Sequence, residues 1–314
     1  MKPTIERNYE IGAYILLLAT ALIWAGTWPL GRWLVSDEVG GAPMIIASLR
    51  YLLVIPCFFL ILRIKEKSLN ISFMKSHWKI LAFMGLISVT IYQAGYLIGL
   101  DYTSASDAVV IVSSHPTLVI IFANLLLKME DLSRMRIIGT LLSFTGVILI
   151  FLFSPNTEVE YRILGDILIF LAAIFYALYI VISRDFLNKC ENSSYQPSSL
   201  YIVTWVSFFG FLTIVPVALL LNPEYINPLL YFQVPEGIWL GIAYLAFMST
   251  VLGYWFYLEG VKRLSASRAA IFQNLVPIFG VSLSIILLGE IFDPVIHISS
   301  ILLIIIGITL VNRG

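Results

Sequence analysis

The chain has 314 residues, of which 60% are hydrophobic and only 12% charged, with a formal net charge of zero and a mean hydropathy of +0.94. A soluble domain carries about 25% charged residues, so a water-facing globule is excluded, and the balanced charge offers no basic surface to nucleic acid. What remains is an all-α integral membrane protein.

In chain order, residues 1–10 form a short polar segment containing Lys2, Glu6, Arg7 and Glu10. Ten apolar runs follow, at 11–35, 43–63, 77–99, 105–127, 134–153, 163–183, 198–220, 236–258, 266–288 and 295–312. Each is long enough to cross a hydrocarbon core of about 30 Å as a helix. The "ATA" of span 1 (19–21) resembles a signal cleavage site, but the apolar run continues well past it, so the segment is read as a helix. Span 2 carries Arg50, whose side chain is long enough to reach the interface and whose position would also suit a substrate carboxylate. Cys57 in span 2 and Cys190 after span 6 are too far apart in context to predict a disulfide, and two cysteines do not make a metal site. Spans 5 and 10, almost purely aliphatic and aromatic, are expected at the periphery. Spans 1, 3, 4, 6, 8 and 9 carry the polar and aromatic residues and are expected to enclose a cavity.

Sixteen of the 19 basic residues fall on the side of the N-terminus if these spans alternate. Lys and Arg are retained on the cytoplasmic side of short loops, so both termini are expected in the cytoplasm and the protein in the cytoplasmic membrane, with the lipid bilayer as its partner.

The chain also repeats itself. "SAS" at 104–106 recurs at 265–267, Tyr96 matches Tyr257, Gly99 matches Gly260, Pro116 matches Pro277 and Gly146 matches Gly307, all at an offset of 161. Near the start of each half the offset is 152, pairing Ala25 with Ala177, and the second spans pair Pro56 with Pro216 at 160. Residues 11–153 and 163–312 are thus two repeats of five spans, joined by a linker at 154–162. Five is odd, so the second repeat enters the membrane from the opposite side. Inverted repeats are the architecture of secondary transporters, because exchanging the two halves' conformations opens one side and then the other. Matched prolines in the middle of spans 4 and 9 predict helix kinks at Pro116 and Pro277, tolerated where the freed carbonyl faces protein or a cavity.

"LDYTSASDAVVIVSSHPTLVIIFANLLLKMED" and "VKRLSASRAAIFQNLVPIFGVSLSIILLGE" resemble the repeated segment of the EamA-type drug/metabolite transporter superfamily. "LIWAGTWPLGR" (22–32), "IFYALYIVISR" (174–184) and "LRYLL" (49–53) resemble its first and second spans. The chain departs from that pattern at Tyr176, where the family often has Trp, and at Glu130 and Glu290, which align only with a one-residue slip. The resemblance covers nearly the whole chain and implies an exporter of amino acids, other metabolites or drugs, with no cofactor.

Candidate substrate contacts are Trp24, Gln93, Ser113, His115, Tyr176, Gln273 and Asn274, which place ring faces and hydrogen-bonding groups at depth in an otherwise apolar site. His115 is the one histidine near the bilayer centre, where an ionisable group is a functional candidate by default. Tyr92, Tyr96, Tyr254 and Tyr257 come in pairs on single helix faces. Inverted symmetry sends the two pairs toward opposite mouths, as candidate gates. No Asp or Glu is expected at mid-depth, so a carboxylate proton relay has no obvious members and uniport or weakly coupled exchange is the simpler reading. Arg50 alone is basic well inside a span, which favours zwitterionic or uncharged small molecules over phosphorylated ones. An intramembrane enzyme would need a nucleophile with its base, or a set of metal ligands, and neither occurs. A scaffold or sensor would not need inverted repeats. Fusion of both halves in one chain leads to the expectation that a monomer suffices.

Overall fold

The computed structural model describes residues 2–36, 42–127, 133–155, 161–191, 195–264 and 272–313. Its helices are α1 Lys2–Val35, α2 Pro43–Glu66, α3 Ile71–Tyr102, α4 Ala105–Leu127, α5 Arg134–Phe153, α6 Arg162–Lys189, α7 Ser199–Leu221, α8 Glu236–Gly260, α9 Leu275–Leu288 and α10 Pro294–Arg313. Among the described residues there is no strand. Among the described residues, nine helices are long and apolar enough to cross a membrane, and α9 is a shorter apolar one. The rest of span 9 (266–271), most of the 154–162 linker and the second "SAS" lie outside the described residues.

Polar caps set several of the boundaries. Asn70, Ser104, Ser133 and Ser198 accept hydrogen bonds from the first-turn amides of α3, α4, α5 and α7, satisfying donors that have no partner within the helix. Helix α3 starts at Ile71 and ends at Tyr102, longer than the 77–99 stretch expected, because Asn70 caps it inside a segment too polar to be read as membrane.

The two halves pack as a pseudo-symmetric pair. Helix α1 lies against α8 and α9, and α6 correspondingly against α3 and α4; α2 meets α7, α4 meets α9, and α5 meets α10. Exchanging the halves maps this set of neighbours onto itself. The register gives the direction. A Cβ at Gly139 would lie 2.5 Å from the Gly307 carbonyl, and one at Gly146 would lie 2.7 Å from the Ser300 carbonyl. As α5 advances α10 recedes, so these equivalent helices are antiparallel. At the offset of 161, 139 corresponds to 300 and 146 to 307, so the two contacts are images of one another. Helices α5 and α10 pack chiefly on each other and reach the remainder through α4 and, from α5, through Arg162 and Phe170 of α6. Their outer faces carry Leu141, Ile148, Leu152, Leu302 and Ile306 in exposed positions, which suits hydrocarbon and not water.

Both prolines stand beside breaks in their helices. Helix α4 is interrupted at Ser113 and Ser114 and restarts at His115, immediately before Pro116. Helix α9 is likewise preceded by a turn at Asn274 and holds Pro277 in its first turn. Ser113 and Asn274 are themselves repeat partners, 161 apart. A proline costs little in a first turn, where its missing N–H would have had no partner, so the breaks are the shared feature.

A further departure is π-helical winding at Leu86–Ile91 and Ala94–Ile98 in α3 and at Tyr244–Leu252 in its partner α8. Such segments are rare and frequently sit at functional sites.

Candidate functional site

Five helices, three from the first half and two from the second, bring a ring cluster together. Trp24 of α1 contacts Tyr254 and Tyr257 of α8, with ring centroids 5.8 and 5.5 Å apart. Its indole N–H donates to the Ser249 carbonyl at 3.1 Å. Tyr176 of α6 contacts Tyr92 of α3 at 5.1 Å, His115 of α4 at 5.7 Å and Tyr179 at 6.0 Å. The Tyr176 and Tyr254 hydroxyls share a hydrogen bond of 2.8 Å. Tyr92 stacks on Tyr96, whose hydroxyl donates to the Thr27 carbonyl at 2.8 Å and whose ring meets the edge of Trp28. Tyr92 and Tyr254 therefore converge on one ring at mid-depth, while Tyr96 and Tyr257 seat on different turns of α1.

The remaining candidates are less uniform. Gln93 is buried, its amide reaching the Tyr51 hydroxyl at 3.5 Å, and its Oε1 has no partner. His115 Nδ1 lies 3.1 Å from the Val112 carbonyl at the α4 break, and Ser113 Oγ donates to the Val109 carbonyl at 2.6 Å. Gln273 lines a narrow cleft with Leu17, Thr20, Trp24, Tyr257 and Phe272, too tight to hold a water molecule. Asn274 sits in the turn that precedes α9. Arg50 does not reach the interface: it is 9% exposed and is held by Thr250.

The cleft breaks the pseudo-symmetry. It lies between α1, α8 and the start of α9, in the half of the molecule that carries the termini. Two of its lining residues, Tyr257 and Phe272, are half-buried where their repeat partners Tyr96 and Ile111 are buried, while Leu17, Thr20 and Ala21 are as buried as their partners Ile169, Ala172 and Ala173.

Sequence reasoning missed a buried polar network at the face opposite the termini. Asp107, Asp166 and His297 lie near the ends of their apolar runs. In the fold all three have no exposure and meet around Arg162. Arg162 Nη1 lies 2.7 Å from Asp166 and 3.7 Å from Asp107, and the guanidinium also donates to the Ile150 and Phe151 carbonyls. Ser154 donates to both Asp107 oxygens, Thr103 donates to Asp166 at 2.5 Å, and His297 Nε2 is 3.4 Å from Asp107 Oδ1. Glu290 accepts from the Ala105 and Ser106 amides at 2.7 and 2.8 Å, closing the start of α4. The signal available in sequence was the Arg162–Asp166 spacing of four, which puts an opposite pair on one helix face.

Comparison with known proteins agrees with this geometry. A model described as the EamA-like transporter family matches residues 11–152 and again residues 163–313. The Bacillus subtilis protein named uncharacterized transporter YyaM is 26% identical over 271 residues, covering 86% of this chain and 84% of its own. Uncharacterized transporter YetK of the same organism is 28% identical over 288 residues, covering 90% and 82%. A solved structure described only as a crystal structure of a protein superposes with a TM-score of 0.61 at 16% identity, over 96% of each chain, which speaks for the fold alone.

Proposed function

The chain belongs to the EamA-like transporter family and is a multi-pass membrane transporter, and on that premise we propose that it exports a small organic metabolite of the amino-acid or related aromatic, zwitterionic class across the cytoplasmic membrane by alternating access. One observation carries the reading: the ring cluster of Trp24, Tyr92, Tyr176 and Tyr254, which draws equally on both repeats. Aromatic rings with hydroxyl and indole handles bind an apolar body and still satisfy polar groups. Among the described residues no carboxylate contacts these rings, so a cationic drug would find no counter-charge there. Substrate contacts are assigned to Trp24, Gln93, Ser113, His115, Tyr176, Gln273 and Asn274, and gates to the tyrosine pairs.

The test is flux. Purified protein in liposomes should accumulate or release radiolabelled neutral amino acids, with competition by aromatic amino acids and none by sugar phosphates. Tight competition by sugar phosphates, with amino acids inert, would overturn the substrate class.

A further inference from the structure

The fold buries two arginines, and they are treated differently. Arg162 is met by Asp166, Asp107 and two backbone carbonyls. Arg50, equally buried, has one partner: Thr250 Oγ1 accepts from its Nε at 3.1 Å and from its Nη2 at 2.8 Å. Thr250 spends its own hydrogen on the Leu245 carbonyl at 2.8 Å, an acceptor within the π-helical stretch of α8. Among the described residues Thr250 takes up two of its five N–H groups, and no carboxylate pairs with the charge. A desolvated cation without its counter-ion is costly, and in a membrane interior such a group marks a site.

The repeat shows that packing does not demand this arginine. At the offset of 160, Arg50 corresponds to Gly210, and Thr250 corresponds to Val89 at 161. Gly210 and Val89 are also in direct contact, so close that a Cβ on Gly210 would strike the Val89 side chain. What is a tight apolar crossing of α7 on α3 in one half is an arginine held open on a threonine in the other.

A second unpartnered group lies beside it. Gln93 is 1% exposed and its Oε1 accepts nothing, while its amide nitrogen approaches the hydroxyl of Tyr51, the neighbour of Arg50 in the chain. Arg50 is near enough for its charge to act on the hydroxyls of Tyr92, Tyr96 and Tyr254, so the ring cluster adjoins both groups. A free fork of donors suits a carboxylate bidentately. A free amide oxygen next to ring faces suits an ammonium, through one hydrogen bond and through the negative faces of the rings.

We propose that Arg50 and Gln93 are the polar end of the substrate site, Arg50 holding the carboxylate and Gln93 the ammonium of an α-amino acid whose side chain lies among the rings of Trp24, Tyr92 and Tyr176. This rests on the transport reading above and adds to it the two groups that recognise the charges.

Binding to the full chain in lipid nanodiscs tests the site without needing flux. The twenty standard amino acids are titrated first, and the tightest binder is then compared with the amine that lacks its carboxylate and the acid that lacks its ammonium. In Arg50→Met, affinity for the amino acid should fall roughly tenfold to a hundredfold while affinity for the amine stays as in the wild type. Gln93→Leu should weaken the amino acid and leave the carboxylic acid unaffected. Arg50→Lys, which keeps the charge but loses the fork, should bind the amino acid between wild type and Arg50→Met. Ligand-free Arg50→Met should melt no lower than wild type, since it sheds an unpaired buried charge. Wild-type protein that binds none of the twenty, Arg50→Met that binds the amino acid as wild type does, or a melting temperature that drops with amine and amino acid lost together, each overturns the site. Binding as expected with no flux in liposomes would instead overturn the transport reading and leave the site standing.

Discussion

Tyr176 is the residue where the two repeats touch at the centre, through Tyr92 and His115 on one side and the Tyr254 hydroxyl on the other. Replacing it with phenylalanine removes one hydrogen bond from a ring that stays packed, so Tyr176→Phe should cost about 0.5–1.5 kcal/mol of stability, read as a small fall in the melting temperature of the detergent-solubilised protein. The partners Tyr96 and Tyr257 should separate more sharply. Tyr96 is 3% exposed and tied to Thr27 on the packed side, whereas Tyr257 borders the cleft. Tyr96→Ala should raise thiol labelling of a cysteine placed at Ser113 from the face opposite the termini, and Tyr257→Ala should raise it from the terminal face. Equal labelling in both variants, with only stability lowered, would make these tyrosines anchors. The candidates were legible as residue types, since aromatics three or four apart share a helix face. Which ring meets which was not, because centroid contacts between α3, α6 and α8 depend on rotations that no local pattern encodes.

At the scale of elements, the start of α4 is the best-held helix end in the molecule. Ser104 caps it from within, Glu290 caps it from the connection between α9 and α10, and Asp107 in its first turn joins the network around Arg162. Burial pushes the Glu290 carboxyl up from its ordinary range, opposed by the hydrogen bonds it accepts from Ser106 and Ala105. Glu290→Ala leaves two buried amides unmet and should cost about 1–3 kcal/mol, measured as a lowered unfolding midpoint. Arg162→Met strands Asp166 in a dry interior and should cost about 3–5 kcal/mol, in contrast to Arg50→Met. The two arginines thus provide an internal comparison: one is structural because it is paired, and the other is available because it is not. The spacing of Arg162 and Asp166 was readable in the chain, but the arrival of His297 from 131 residues further on was not.

For the molecule as a whole, inverted repeats allow two equivalent arrangements, and here the packing beside α1 is looser than that beside α6 at two matched positions. On the terminal face Tyr257 and Phe272 border the cleft half-buried, while their repeat partners Tyr96 and Ile111 are buried. Cysteine at Phe272 should therefore react faster than cysteine at Ile111 with a small thiol reagent applied from the terminal face, and the order should reverse in a conformation trapped open on the other face. Orientation in the membrane is a separate measurement. A reporter fused after the last residue should be active only in its cytoplasmic form, as the distribution of Lys and Arg predicts.

The number of membrane passes, their approximate limits and the inverted repeat were determined by the sequence alone. Those features rest on local hydrophobicity and on residue matches at a fixed offset, and both are properties of the chain read along its length. Even there, the Pro116 and Pro277 signal pointed to the right turn of each helix for an incomplete reason, since backbone breaks at Ser113 and Asn274 precede the prolines. The tertiary structure alone decided the fates of the charged residues. Arg50 lies inside the second apolar run and Arg162 just ahead of the sixth, with Asp166 four residues on as the one local hint of a partner. Their difference comes from what other helices bring: α8 offers Arg50 a threonine hydroxyl, while α4 and α6 converge on Arg162 with two carboxylates. Desolvation makes that difference large, because a charge buried without its counter-ion is expensive, and whether a counter-ion arrives is settled by packing over long separations in the chain.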